Sequence, residues 1–244
     1  MIRVAKLPAI ACSVLAGCAT APLPTYTWVD EATAINLMRQ RAESITTLSA
    51  ECRILLHRND GESIHLDGVM LLAPPAAARI RAWKIGRPVF DLLLRDGRLW
   101  FAMGDGEDSM ERARSLGLSP RALADAISLI TTQAITHDST AVEITSENMI
   151  LKRPSWQNDL ILHGEIDRAS LTARRYSVVD ASGVERYQLL LEDYAIVDGH
   201  PVPTRISGMG DSGRFVLHLS GVEVNGALEA AAFIPPSGAV EVQP

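Results

Sequence analysis

The stretch LSAECRILLHRNDGESIHLDGVMLL, Leu48 to Leu72, decides the fold of this chain. Apolar and polar side chains alternate along its two halves, so that Cys52, Ile54 and Leu56 share one side of the first run. The second run repeats the pattern, and the turn signal Asn59-Asp60-Gly61 lies between them. Alternation with a period of two, interrupted by such a turn, predicts an antiparallel hairpin with one face toward a core.

The same period continues along the chain on both sides of an interruption near residue 120. We expect further strands at Arg79 to Ile85, Val89 to Arg95 and Arg98 to Met103, and about six more between Val142 and Val224. Turn signals and short connections link them, which favours antiparallel pairing. The sequence therefore predicts a mainly β fold with about eleven strands.

Two helical segments each have one apolar face. The first follows the N-cap Asp30, and its apolar residues recur at helical spacing: Ile35, Met38, Ala42 and Ile45. The second lies in a helical insert that starts with a short helix near Asp108 to Ser115 and continues from the N-cap Ser119 with Pro120. Its apolar stripe consists of Leu123, Ala126, Ile127 and Ile130. Both helices should cover an apolar surface.

The N-terminus has the composition of a secretion signal. Arg3 and Lys6 precede an apolar run, Leu7 to Leu15, that is too short to cross a bilayer, which takes about 20 residues. The run ends in Leu15-Ala16-Gly17-Cys18, which resembles the lipobox of bacterial lipoproteins. The alternative is an ordinary signal with an incidental cysteine. We expect a lipoprotein signal peptide at 1–17, an acyl chain such as palmitate on Cys18, and a tether at 18–27.

The remaining composition limits the kind of protein and its partners. The net charge of −6 and the lack of a basic cluster argue against nucleic acid. No second long apolar run follows the leader, so the membrane contact we expect is the lipid anchor. Cys52 has no partner for an internal disulfide and should be a small buried hydrophobe. We expect a single domain at 28–236 and a weakly ordered tail at 237–244.

Catalytic and cofactor motifs are weak or missing. Gly210-Asp211-Ser212-Gly213 copies the serine-nucleophile signature of trypsin-like proteases, but a hairpin turn also explains these residues. The six histidines show no metal spacing, although His57 and His65 flank a turn and could face each other. No cofactor is expected, and the chain is interpreted as a non-enzyme.

Two predicted strands are unusual for a sheet with one solvated face. Val89 to Arg95 and Arg98 to Met103 are apolar on both sides, which suggests that one face packs on a helix while the other lines something else. The alternative is an ordinary helix-on-sheet core. On another predicted strand, Arg79 to Ile85, the side chains of Arg79 and Arg81 share a face with Trp83. That side is interpreted either as a solvated outer face or as a place where a guanidinium lies near an aromatic ring.

Several segments resemble the lipoprotein-carrier family of LolA/LolB-like proteins. Leu66 to Pro74 followed by Arg79 to Ala82 is similar to a segment of these folds, and Gly86 to Leu92 is similar to their G-x-x-hydrophobic-F-D-L strand. Tyr187 to Tyr194 and Gly199 to Ile206 resemble a later hairpin. The order of helices and strands also matches, and the resemblance covers most of residues 28 to 236.

This resemblance implies a half-open antiparallel β-barrel whose helices plug an apolar concavity that holds acyl chains. Candidate lining residues are Trp83, Phe90, Leu92, Leu94, Trp100 and Phe101, although alternation prevents all six from facing the same way. The membrane-anchored members use an exposed apolar loop residue to deliver cargo. The corresponding turn here, Ile85 to Pro88, offers Ile85.

The sequence thus favours a membrane-anchored periplasmic lipoprotein that binds a lipid or the acyl chain of a lipoprotein, in lipid or lipoprotein trafficking. The alternative is a structural or assembly lipoprotein that docks a periplasmic protein partner with the same barrel. The residue after Cys18 is Ala19 and not an aspartate. By resemblance to bacterial sorting rules, this favours the outer membrane over the inner membrane. An open apolar cavity would favour lipid binding, whereas a fully packed core would favour docking.

Overall fold

The computed structural model describes residues 22–57, 61–104, 111, 113, 118–132, 135–136, 141–154, 160–210 and 213–242. The lipobox with Cys18 and most of the short helix expected near Asp108 to Ser115 lie outside these residues. Within them, neither of the two helices has both the length and the apolarity needed to cross a bilayer.

The described strands form a single antiparallel sheet. In chain order they are β1 (Leu48–His57), β2 (Ser63–Ala73), β3 (Ala77–Lys84), β4 (Arg87–Arg95), β5 (Arg98–Met103), β6 (Ala141–Ile144), β7 (Asn148–Pro154), β8 (Leu160–Asp167), β9 (Ala173–Asp180), β10 (Glu185–Val197), β11 (His200–Gly210), β12 (Gly213–Val224) and β13 (Val240–Val242). Their spatial order is β13-β5-β4-β3-β2-β1-β12-β11-β10-β9-β8-β7-β6. The first and last strands of this order do not pair, so the barrel is open.

The hairpin predicted from the opening stretch forms with the expected faces. Ile54 of β1 lies opposite Leu66 of β2, and both are buried on the concave side of the sheet. Cys52 lies opposite Gly68, where a Cβ would come within 2.8 Å of the cysteine Sγ and 2.7 Å of the Arg81 carbonyl oxygen. Glycine at this position lets the side chain of Cys52 pack against the backbone of β2, which explains its burial.

Two helices lie on the concave side. Helix α1 (Glu31–Glu43) begins at Asp30, whose carboxylate accepts a hydrogen bond from the Thr33 N–H at 2.7 Å. Helix α2 (Pro120–Ser128) begins at Ser119, whose hydroxyl accepts from the Ala122 N–H at 3.2 Å. Both N-caps are those predicted from the sequence. The expected apolar stripe is buried, with Ile130 just beyond the end of α2, and it joins α1 and the sheet in one core.

The segment before α1 packs on the end of the sheet. The Tyr26 N–H donates to the Ala169 carbonyl at 2.5 Å, in the connection between β8 and β9. The Arg168 guanidinium lies 4.0 Å from the ring centroid of Trp28, and the Tyr26 and Trp28 rings meet edge to face. The end of the expected tether is therefore held against the fold from Tyr26 onward.

The C-terminal residues cover part of the outer face of the sheet, over β3 to β5. We call residues 228–242 the C-terminal strap. It contains a 3-10 helix, Ala230–Phe233, and β13, which pairs with β5 at the sheet edge. Phe233 is buried with Leu93 of β4, and Trp100 of β5 packs beside them. Strand β13 was not predicted from the sequence, because it has only three residues in a proline-rich segment.

The strap also decides the environment of Arg79, for which a solvated outer face was one interpretation. Its side chain is buried beneath the strap, where its Nη1 donates to the carbonyl oxygen of Ala232 at 2.5 Å. The same guanidinium forms an ion pair with Asp91. Arg81 lies on the same strand and stays exposed. The two arginines that were predicted to share one face therefore have different surroundings.

Candidate functional site

A partly enclosed cavity of about 490 Å³ lies between α2 and the concave face of the sheet. Its walls come from the β2–β3 turn (residues 74–76), from β2 to β4, from α2 and from β7 to β10. Most of its lining is apolar. Cavities of this size lie within the range of about 300–1,000 Å³ that small-molecule sites occupy.

Cross-strand register explains which side chains meet in the cavity. On one wall, Leu72, Ala78 and Leu94 are neighbours across β2, β3 and β4. The opposite wall holds a second row across four strands, Arg153, Leu162, Val178 and Tyr187. The two rows are far apart in the order of the sheet but line one cavity. The sheet must therefore curl strongly, which makes it a half-open barrel.

Of the six residues proposed from the sequence as cavity lining, Leu94 lines this cavity. Phe90, Leu92 and Phe101 share the concave face with it but are buried deeper, where they pack in the core with α2. The Phe90 and Phe101 ring centroids are 6.1 Å apart.

The two tryptophans face the other way. Trp100 packs against the residues that the C-terminal strap covers. Trp83 borders a separate depression beside the β3–β4 turn. The structure thus brings four of the six proposed residues to one face and places both tryptophans on the opposite face.

A polar stripe of α2 faces the cavity instead of bulk solvent. Arg121, Asp125 and Ser128 follow one another at helical spacing and all line the cavity. The Arg121 Nε lies 3.8 Å from an Asp125 carboxylate oxygen, and both side chains are about one-fifth exposed. Burial lowers the pKa of the Arg121 guanidinium, and the Asp125 carboxylate partly opposes this change. Charged groups therefore sit at the margin of an otherwise apolar space.

Tyrosines fix the wall formed by β9 and β10. The Tyr187 hydroxyl donates to the Ala122 carbonyl at 2.7 Å and so ties β10 to the first turn of α2. Burial, with a smaller contribution from Asp125, raises the pKa of Tyr187 well above its usual value. Tyr176 of β9 lies opposite Leu189 of β10. Tyr176 is fully buried, and both side chains line the cavity. Burial raises the pKa of both tyrosines, so both hydroxyls stay protonated at neutral pH.

Several lining residues were missed by the sequence analysis. Tyr176, Tyr187 and Leu189 belong to strands that were predicted, but nothing local marked them as lining a cavity. The one usable signal was the polar stripe of α2. Arg121, Asp125 and Ser128 lie beside the apolar stripe of a helix that stands between two runs of strands. Polar side chains in that position indicate a space beside the helix that apolar side chains do not fill.

Nothing in the described residues forms a metal centre, since no group of three or more His, Cys, Asp or Glu side chains is arranged to hold an ion. His57 and His65 do not pair with each other across the hairpin. His57 Nδ1 lies 2.9 Å from the Ser63 hydroxyl, and His65 is opposite Leu55. Gly210 and Gly213 pair as the ends of a β11–β12 hairpin, and Asp211 and Ser212 between them lie outside the described residues.

No protein-family model and no curated protein matches the sequence. Solved structures do match. A DUF1329 family protein from Desulfovibrio piger superposes with a TM-score of 0.58 and 12% identity, over 83% of this chain and 96% of its own. A LolA superfamily protein from Nitrosomonas europaea gives 0.57 and 14%, over 82% and 97%. The chain has a LolA-type fold.

A third match agrees with this assignment. An outer membrane lipoprotein-sorting protein domain from Vibrio parahaemolyticus has a TM-score of 0.56 and 10% identity, over 82% of this chain and 94% of its own. In the LolA-type fold of this chain, the open antiparallel sheet and the two helices on its concave side match the half-open barrel expected from the sequence. The likeness establishes the architecture and confirms the resemblance to the LolA-like fold.

Proposed function

We propose that this chain is a lipid-anchored periplasmic protein that binds one acyl chain, from a lipid or a lipoprotein, in the cavity beneath α2. The observation that carries the proposal is the cavity itself: about 490 Å³ with walls of mainly apolar side chains. Had helices and sheet packed without a gap, the docking alternative would have been favoured. The LolA superfamily protein and the lipoprotein-sorting protein domain that share this fold support the same class of function.

The physical driving force for binding is the removal of an alkyl chain from water. Each methylene that enters an apolar site contributes about 0.8 kcal/mol. Leu72, Ala78 and Leu94 on one wall, and Leu162 and Val178 on the other, would contact the alkyl chain from two sides. No catalytic step is needed, since the cavity acts by contact alone.

The location we propose follows from the leader and from the segment next to it. Cys18 would carry the anchor, preferentially in the outer membrane because Ala19 follows it. Ile85 in the β3–β4 turn is 92% exposed and would contact a membrane or a partner during transfer. Trafficking of lipids or lipoproteins is the role that these features support together.

Native mass spectrometry of residues 19–244, purified without harsh detergent, tests the proposal. We expect the protein to carry a bound lipid, or to bind a fluorescent fatty acid after delipidation. A protein that contains no lipid and binds no fatty acid would contradict the proposal, and would favour a protein-docking role for the same barrel.

A further inference from the structure

We infer that the cavity takes a single-chain amphiphile with an anionic head group, which the guanidinium group of Arg121 or of Arg153 binds at the cavity wall. This inference rests on the proposed function and deepens it, since it names the head group as well as the alkyl chain. The chemistry in question is a carboxylate or a phosphate at the end of one alkyl chain.

The charge of the lining is the first observation. Among the described residues that line the cavity, two are cationic, Arg121 and Arg153, and one is anionic, Asp125. The whole chain has a net charge of −6, so this positive balance is opposite in sign to that of the protein. An uncharged acyl chain would gain nothing from arginines in the wall, whereas an anion would.

The positions of the two arginines, one on α2 and one on β7, are the second observation. Arg121 lies in the first turn of α2, next to the Ala122 carbonyl that binds the Tyr187 hydroxyl. Arg153 lies on β7 at the other end of the row Arg153, Leu162, Val178 and Tyr187. The apolar side chains of Leu162 and Val178 stand between the two cationic positions. A head group bound by either arginine would therefore have an apolar surface beside it for its alkyl chain.

Guanidinium chemistry fits this role. Arginine has five N–H donors in a planar fork, so it can keep a contact with the protein and still donate to a ligand. The fork matches the two oxygens of a carboxylate or phosphate, and this pairing is strongest where water is partly excluded. The half-buried wall beneath α2 is such a place, because burial already lowers the pKa of Arg121.

The test compares ligands that differ in the head group alone. The full chain is titrated with dodecanoate, dodecyl phosphate and uncharged dodecanol, each below the concentration at which it aggregates. We expect at least one of the two anions to bind about tenfold more tightly than the alcohol, as a charge-assisted hydrogen bond predicts. Preference between the two anions then distinguishes a carboxylate source from a phosphate source.

Substitutions show whether the arginines act on the ligand or only on the fold. We expect Arg121→Gln or Arg153→Gln to weaken binding of the preferred anion about fivefold or more, whereas both variants should leave dodecanol binding within about twofold, which also shows that the cavity is intact. Asp125→Asn should strengthen anion binding, because it removes the carboxylate from the lining. Arg53→Gln is the matched control, since Arg53 is exposed on β1 and does not line the cavity.

Three results would overturn the inference. Equal binding of anions and dodecanol would refute the head-group site but leave the proposed function standing. Competition by acetate or inorganic phosphate at the concentrations at which the amphiphiles bind would show a site for a free anion. Failure of all three amphiphiles to bind would remove the proposed function, and this inference with it.

Discussion

Arg79 and Asp91 form a two-pronged ion pair on the outer face of the sheet, with Nε and Oδ1 2.8 Å apart and Nη2 and Oδ2 2.6 Å apart. The same guanidinium donates from Nη1 to the Ala232 carbonyl of the C-terminal strap. The pair therefore connects β3 and β4 to a segment about 150 residues later in the chain. Only 6% of the Arg79 side chain and 14% of the Asp91 side chain are exposed.

The first prediction concerns the stability of the strap. Arg79→Ala leaves the buried Asp91 carboxylate with one fewer partner and removes the strap contact, so it should lower the free energy of unfolding by about 3 kcal/mol. Arg81→Ala is the matched control, since Arg81 binds the same carboxylate but is 56% exposed. It should cost less than about 1 kcal/mol in urea unfolding. Equal losses would show that burial under the strap is unimportant.

The second prediction concerns occupancy of the cavity. Val178→Trp places a large side chain in the lining, so it should reduce fatty-acid binding by at least about tenfold. Val179→Trp is the control on the same strand, because consecutive strand residues point to opposite faces. Fluorescence titration of both variants, with thermal unfolding as the check on folding, measures the difference. Equal weakening by the two variants would place the ligand elsewhere.

The third prediction concerns Ile85, a β-branched residue that has a positive φ of 50° and is 92% exposed. Ile85→Asn should slow transfer of a bound fluorescent lipid to vesicles, because it removes the exposed apolar group. Its stability should be unchanged or raised by up to about 1 kcal/mol, since asparagine tolerates this backbone conformation better. Val184→Asn, at an exposed apolar residue in another hairpin turn, should leave the transfer rate unchanged.

The fourth prediction concerns the reactivity of Cys52. Burial, assisted by the nearby Asp67 carboxylate, raises the pKa of its thiol to about 12. The folded state therefore keeps the thiol protonated at pH 8, and iodoacetamide should leave it unmodified until the protein unfolds. Mass spectrometry of the peptide that contains Cys52, with and without urea, measures this. Rapid alkylation of the folded protein would contradict the burial of the side chain.

The fifth prediction concerns the anchor. Cys18→Ser should abolish metabolic labelling with palmitate, because it removes the sulfur to which the lipid would be attached. Cys12→Ser should retain the label, since Cys12 lies within the leader that we expect to be removed. Labelling of both variants would show that the lipobox interpretation is wrong.

Local sequence predicted the elements of this fold well. Alternation placed Ile54 and Leu66 on the same buried face, and the capping signals at Asp30 and Ser119 correctly gave the starts of both helices. Such features depend on neighbours within a few residues. The same alternation separated Leu94 from Leu93, although it did not say that Leu93 would be covered by the strap.

The cavity and the strap could not be predicted because each depends on distant contacts. Tyr187 and Leu72 line one space only because the sheet curls between them. Arg79 looked like a solvent-facing residue until residues from the end of the chain covered it. A charged residue inside an alternating strand has the same local pattern whether water or a later segment lies above it.

The hydrogen bond between Tyr26 and Ala169 would limit how far a protein that is anchored through Cys18, as we propose, can move from the membrane. Cys18 precedes Tyr26 by eight residues, which fully extended span at most about 28 Å. With its lipid in the bilayer, the β8–β9 end of the barrel would stay within that radius of the membrane surface. Such a protein would act as an acceptor that stays beside one membrane. A separate carrier would have to bring it any cargo from another membrane.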